Sequence, residues 1–147
     1  MLKHFFYLAL FFTGTLALAH GEDRPGPNGG YIKMPANFHT ELVADSTGSS
    51  FRIYLLDLHF KNPVTQNSEV KVFYKTPKNK KINLSCPPMG NNHFHCFDVD
   101  LSKKATISIR AKRDGSWATV DVKYSLPLKD FDPSIVPSTA PIDHSNH

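Results

Sequence analysis

The feature that most constrains this chain is a period-two alternation of apolar residues, repeated in short runs with turn residues between them. It is clearest towards the C-terminus. Ala105, Ile107, Ile109 and Ala111 fall on one side of an extended segment, and Ala118, Val120, Val122 and Tyr124 fall on one side of the next. Asp114-Gly115 between them is a tight-turn pair, because a two-residue hairpin loop needs residues that accept positive φ. Successive side chains of a strand point to opposite faces, so each such run can bury one face against a core.

The same signal recurs upstream. Tyr31 to Met34 reads as a brief strand stopped by Pro35, and Phe38 to Asp45 as another. The cluster Ser46-Thr47-Gly48-Ser49-Ser50 reads as a turn. Phe51 to Phe60 reads as a longer strand, apolar on both sides and stopped by Asn62-Pro63. Val70 to Lys75, Lys80 to Cys86 and His93 to Leu101 complete the set. Seven or eight strands with turns every 8–12 residues, and no helical period longer than a turn, predict an all-β chain folded as an antiparallel immunoglobulin-like β-sandwich.

Both ends of the chain differ from this pattern. Lys3 and His4 precede an apolar run from Phe5 to Leu18, and Ala17-x-Ala19 supplies a small-residue cleavage pattern. Residues 1–19 are therefore expected to be a signal peptide, too short and wrongly flanked for a membrane span. Residues 20–30, rich in Gly and Pro, are expected to be an extended arm, and 31–128 the sandwich domain. Residues 129–147 carry Pro133, Pro137 and Pro141 with His144 and His147, and read as a disordered or loosely draped tail. The expected location is periplasmic or secreted, with no membrane span after cleavage.

Export bears on the two cysteines. Cys86 and Cys96 are an even pair in an oxidising compartment, which favours a disulfide over a thiolate metal site or free thiols. Charge narrows the partners. The net charge of +4 is spread along the sequence, with Lys78, Lys80 and Lys81 as its densest cluster, so a nucleic-acid partner is not expected. Neither a Gly-x-Ser-x-Gly elbow nor a His-Glu-x-x-His helix occurs, and the chain is not read as an enzyme.

Histidine placement carries the functional reading. Cleavage after Ala19 would begin the mature chain at His20, whose amine and ring Nδ1 together chelate a metal. Nitrogen-rich tetragonal sites favour Cu(II). A hairpin turning near Thr47–Gly48 would set His39 opposite Asp57 or His59, with Glu41 beside them. Directly opposed residues share a face, so the far end of that hairpin becomes a candidate rim site. His93 and His95 lie two apart on one strand face with Met89 close in sequence, and imidazole with thioether suits copper. The metal set read from the sequence is thus His20, His39 and His59, with Asp57, Met89, His93 and His95 behind it.

A histidine exposed by signal cleavage at the head of a small all-β domain resembles the periplasmic copper-resistance carriers and the copper-dependent polysaccharide monooxygenases. That resemblance implies copper, held by His20 and a further histidine such as His39 or His59. The segment Gly26-Pro27-Asn28-Gly29-Gly30 followed by Phe38-His39-Thr40-Glu41-Leu42-Val43 is similar to small uncharacterised exported bacterial proteins, in some of which a Gly-Pro-His-Gly-Gly stretch precedes a His-x-Glu-Leu strand. Asn28 stands here where that stretch has histidine. The expected function is copper storage, delivery or tolerance. The other readings are a non-catalytic module that binds a cell-envelope protein, and, last, a copper oxidase acting on polysaccharide.

Overall fold

The computed structural model describes residues 21–135. The predicted signal peptide, His20, His144 and His147 lie outside them, as does the tail beyond residue 135.

Eleven strands and no helix occur among the described residues: β1 (Gly21–Pro25), β2 (Tyr31–Lys33), β3 (His39–Ala44), β4 (Phe51–Leu56), β5 (Glu69–Lys75), β6 (Lys81–Leu84), β7 (Pro88–Met89), β8 (His93–Cys96), β9 (Ala105–Arg113), β10 (Ser116–Trp117) and β11 (Val122–Leu126). They form two antiparallel sheets. The first is six-stranded in the order β1-β2-β3-β4-β8-β7. The second runs β10-β9-β5-β6, with β11 also paired to β9. The strand count exceeds the seven or eight expected, because residues 21–25 join the sheet instead of forming a free arm and two-residue strands flank β8 and β9. The long strand expected over Phe51–Phe60 stops at Leu56, where Asp57–Lys61 closes a turn through Asp57 N–H to Lys61 carbonyl at 2.9 Å.

One apolar cluster draws on both sheets. Leu42, Phe51, Ile53, Leu55 and Phe94 enter it from the first, and Val72, Ile107, Ile109, Ala111 and Val122 from the second. Alternation explains the choice: along β9 the residues alternate between buried and at least part-exposed from Ala105 to Lys112. Fully burying one such aliphatic or aromatic side chain contributes about 1.5–3 kcal/mol. Links between the sheets include a disulfide, a tyrosine hydroxyl and Arg113 Nε on β9, which donates to the Leu55 carbonyl on β4 at 3.2 Å. The Cys86–Cys96 disulfide, with an S–S distance of 2.08 Å, ties the segment after β6 to the end of β8. Tyr124 on β11 places its hydroxyl 3.1 Å from Thr40 Oγ1 on β3 and 3.3 Å from the Tyr31 carbonyl on β2. Burial pushes the Tyr124 hydroxyl well above its ordinary pKa, so it stays neutral and hydrogen-bonded.

A smaller cluster covers the opposite side of the first sheet. Ile32, Val43, Tyr54, Leu56 and Phe60 pack there. The start of the predicted tail is also anchored: Phe131 stacks on Tyr31 with ring centres 4.5 Å apart, and the Tyr31 hydroxyl donates to the Lys129 carbonyl at 2.6 Å.

Candidate metal centre

The hairpin that was to assemble a rim site has a different register. His39 pairs with Leu56, Thr40 with Leu55 and Leu42 with Ile53. Odd residues of β3 therefore face even residues of β4, one position away from the expected pairing of His39 with Asp57 or His59. A one-residue shift moves every side chain to the other face. The turn decides this: Asp45 N–H bonds the Ser50 carbonyl at 3.0 Å and Gly48 N–H bonds the Asp45 carbonyl at 2.9 Å, so the loop closes on five-residue spacing.

Each proposed rim residue has another task. His39 is 5% exposed. Its Nδ1 lies 3.0 Å from the Asp57 carbonyl and its ring stacks on Phe60, centres 4.1 Å apart. Asp57 caps its own turn. Its Oδ1 accepts the backbone N–H of His59 and of Lys61, each at 2.9 Å, and its Oδ2 accepts Asn62 Nδ2 at 2.7 Å. Burial pushes the Asp57 carboxyl up, but those donors outweigh it and hold it below the ordinary carboxylate value. His59 is exposed on the turn. Phe60 sits at φ 59°, a costly conformation for a non-glycine residue that its burial on His39 and Leu56 offsets. At this end of the sheet His39 and Asp57 are engaged in holding the turn, and the register sets His39 opposite Leu56 and not opposite Asp57 or His59.

Glu41 explains the glycine-rich segment before it. The β1–β2 turn closes through Gly26 N–H to Gly30 carbonyl at 2.8 Å. The carboxylate of Glu41, fully buried, accepts Asn28 N–H and Asn28 Nδ2 at 2.8 Å each and Gly30 N–H at 2.9 Å. A side chain at Gly26 would meet Glu41 Cδ at 2.6 Å, and one at Gly30 would collide with the Leu42 carbonyl. The Gly-Pro-Asn-Gly-Gly and His-x-Glu pattern is thus one carboxylate-clamped turn. Asn28 serves that clamp.

His93 and His95 lie elsewhere on the same sheet. Arg52 pairs with His95, and Met89 pairs with His93, so Met89, His93, His95 and Arg52 share one face. The two imidazole centres are 6.1 Å apart. His93 Nδ1 is 2.6 Å from Asn92 Oδ1, and His95 Nε2 is 3.0 Å from Asp45 Oδ2. Those oxygens are acceptors, so the ring nitrogens facing them carry hydrogen in the neutral form. His93 Nε2 and His95 Nδ1 are then left as lone-pair donors. Ligating histidines generally give their other N–H to such an oxygen. Asp45 is itself fixed by Ser50 Oγ and by Arg52 Nε, which lies 3.2 Å from Oδ1 but off a hydrogen-bond axis. The Ser50 hydroxyl, then His95 and Arg52, hold the Asp45 carboxyl below its ordinary value against desolvation.

Aromatic rings line this face. Phe97 stacks on His95 at 4.1 Å between centres, and Tyr54 lies 5.3 Å from His93. Burial, then the charges of Arg52 and His95, lower the pKa of His93 and favour its neutral, metal-competent ring. The ring centres, 6.1 Å apart, lie at the upper limit for two imidazoles sharing one ion through bonds of about 2.0–2.1 Å. Among the described residues no three His, Cys, Asp or Glu side chains group around one point. The donor set here is instead two imidazoles and the exposed Met89 thioether. Sequence reading placed these three last, since strand pairing of Met89 with His93 has no sequence signal beyond proximity.

Comparison with known proteins finds no matching family model, curated protein or solved structure. Among the described residues no helix is long and apolar enough to cross a membrane.

Proposed function

We propose that this is an exported copper-binding protein of the periplasm or extracellular space, an immunoglobulin-like β-sandwich that stores, delivers or buffers copper without catalysing a reaction. The observation that carries the reading is the His93–His95 pair, each ring fixed through one nitrogen with the other nitrogen unspent, beside the Met89 thioether. Thioether and imidazole donors favour Cu(I) over hard cations. The shared apolar cluster supports the sandwich reading, and the disulfide suits an oxidising compartment.

His20 is retained as a separate Cu(II) chelate, formed by its amine and ring after cleavage. Gly21, the next residue, pairs with Lys33 on β2. β1 and β7 are opposite edges of the six-stranded sheet, so Gly21 and Met89 lie on opposite edges.

The test is anaerobic Cu(I) titration of the chain starting at His20, against a competing chelator. His93→Ala/His95→Ala should weaken Cu(I) about a hundredfold or more, with a modest fall in melting temperature from the lost His95–Asp45 contact. Unchanged Cu(I) affinity would remove the strand pair from the proposal. A chain extended by one residue ahead of His20 should lose the Cu(II) signal of the terminal chelate in electron paramagnetic resonance and keep Cu(I). If no form binds copper, the protein is a non-catalytic module for a cell-envelope partner.

A further inference from the structure

The second sheet gathers on one face the basic residues that are dispersed along the sequence. Strand pairing sets Lys71 opposite Arg110 and Lys75 opposite Lys81, while Lys123 lies opposite Ser108. All point away from the core shared by the two sheets. Like charges directly opposite each other in a sheet are destabilising; Glu69 and Asp121 offset this for Lys71 and Arg110, whereas Lys75 and Lys81 have no such offset among the described residues.

The carboxylates on this face are already engaged. Asp121 is held by Arg110 through Nε at 2.7 Å and a second nitrogen at 3.3 Å. Glu69 lies 3.2 Å from Lys112 and 3.8 Å from Lys71. Among the described residues no carboxylate is within ion-pair distance of Lys75, Lys81 or Lys123. These three lysines line an open groove of about 470 Å³, which Asp121, already held by Arg110, also borders. Its wall includes the Thr106 and Ser108 hydroxyls, and its floor is Phe73, with Lys81 Nζ 3.8 Å from the ring centre. Lys123 and Asp121 also border a second groove of about 670 Å³ that holds Trp117 and Arg110. Lys71 and Lys112 lie over the Trp117 ring at 4.9 and 5.2 Å. The face thus repeats one arrangement twice: an aromatic ring with ammonium groups beside it, with hydroxyl side chains between.

We propose that this face binds an acidic polysaccharide, a chain of sugars bearing carboxylates. The ammonium groups complement the repeated negative charge. The two rings offer apolar surface to sugar C–H faces, and the threonine and serine hydroxyls bond to sugar hydroxyls. A bilayer surface fits less well, since the exposed large hydrophobic residue of this face is Trp117, with no exposed aliphatic side chain beside it to enter lipid. The metal face belongs to the other sheet, so this binding is independent of copper.

The experiment measures binding of the chain starting at His20 to polygalacturonate, neutral dextran and phosphatidylglycerol vesicles at low and high salt. Polygalacturonate should bind, dextran should not, and salt should weaken binding about tenfold. Lys75→Gln/Lys123→Gln should weaken it at least about tenfold. Lys61→Gln/Lys129→Gln removes the same charge from exposed positions elsewhere and should change it less than about twofold. Both variants should melt no lower than the parent. Equal losses in the two variants would reduce the effect to net charge and overturn the assignment. So would binding of vesicles without polygalacturonate, or no binding of polygalacturonate at all.

Discussion

His39 and the His93–His95 pair lie on the same sheet, yet one locks the fold and the other offers donors. At His39 the ring is buried, one nitrogen bonds a backbone carbonyl and the face stacks on Phe60. At His93 and His95 each ring is part-exposed and one nitrogen is engaged. The carboxylates repeat the contrast. Glu41 and Asp57 spend their oxygens on turn N–H groups, whereas Asp45 orients His95. Residue type does not separate the two regions, and each ring has one nitrogen engaged; burial separates them, since His39 is buried and His93 and His95 are part-exposed.

The sharpest test of the locked end is Glu41→Ala, which strands the buried N–H of Gly30 and the part-buried donors of Asn28. It should cost about 3–5 kcal/mol in denaturant unfolding, because each orphaned buried donor loses its acceptor without regaining water. A loss under about 1 kcal/mol would mean that the turn re-forms without its clamp. Next in size, His39→Ala should cost about 2–3 kcal/mol from the lost ring contact and hydrogen bond. Copper affinity should not change. A parallel fall in copper affinity would erase the contrast between the regions.

Asp45→Asn probes the donor end. The amide no longer supplies a full negative charge to His95, so copper should bind about tenfold more weakly. Stability should fall too, since the native state holds Asp45 below its ordinary value. That contribution is present above the unfolded carboxyl pKa and is lost as pH falls through the folded value, so the parent and variant should converge in acid. The smallest effect is at His93. Its folded pKa is lowered, so the unfolded chain binds more protons as pH drops below about 6.5. Apo-protein stability should decline from that point and level off below the folded pKa, and His93→Ala should flatten this part of the curve. A parent whose stability rises across the same window would reverse the sign of the argument.

Much of the fold was legible beforehand. Alternation in Ala105–Ala111 and the Asp114-Gly115 turn define β9 and its return, and the even cysteine count anticipates the Cys86–Cys96 pair. These are local or compositional signals, and local rules reach them. The sequence also marked Gly26–Gly30 and His39–Glu41 as special, but not why. Only the tertiary structure determined that Glu41 folds back on that turn, that His39 meets Leu56 in place of Asp57 or His59, and that Met89 faces His93. Likewise, lysines scattered in sequence meet on one face only once β5, β6, β9 and β11 pair. The reason is that strand side chains repeat every two residues, so a single-residue difference in a loop closure reassigns whole faces. The sequence decides that strands form and which side of each is apolar. Register, set by turn hydrogen bonds and long-range packing, decides which histidines are buried in the fold and which stay part-exposed on its surface.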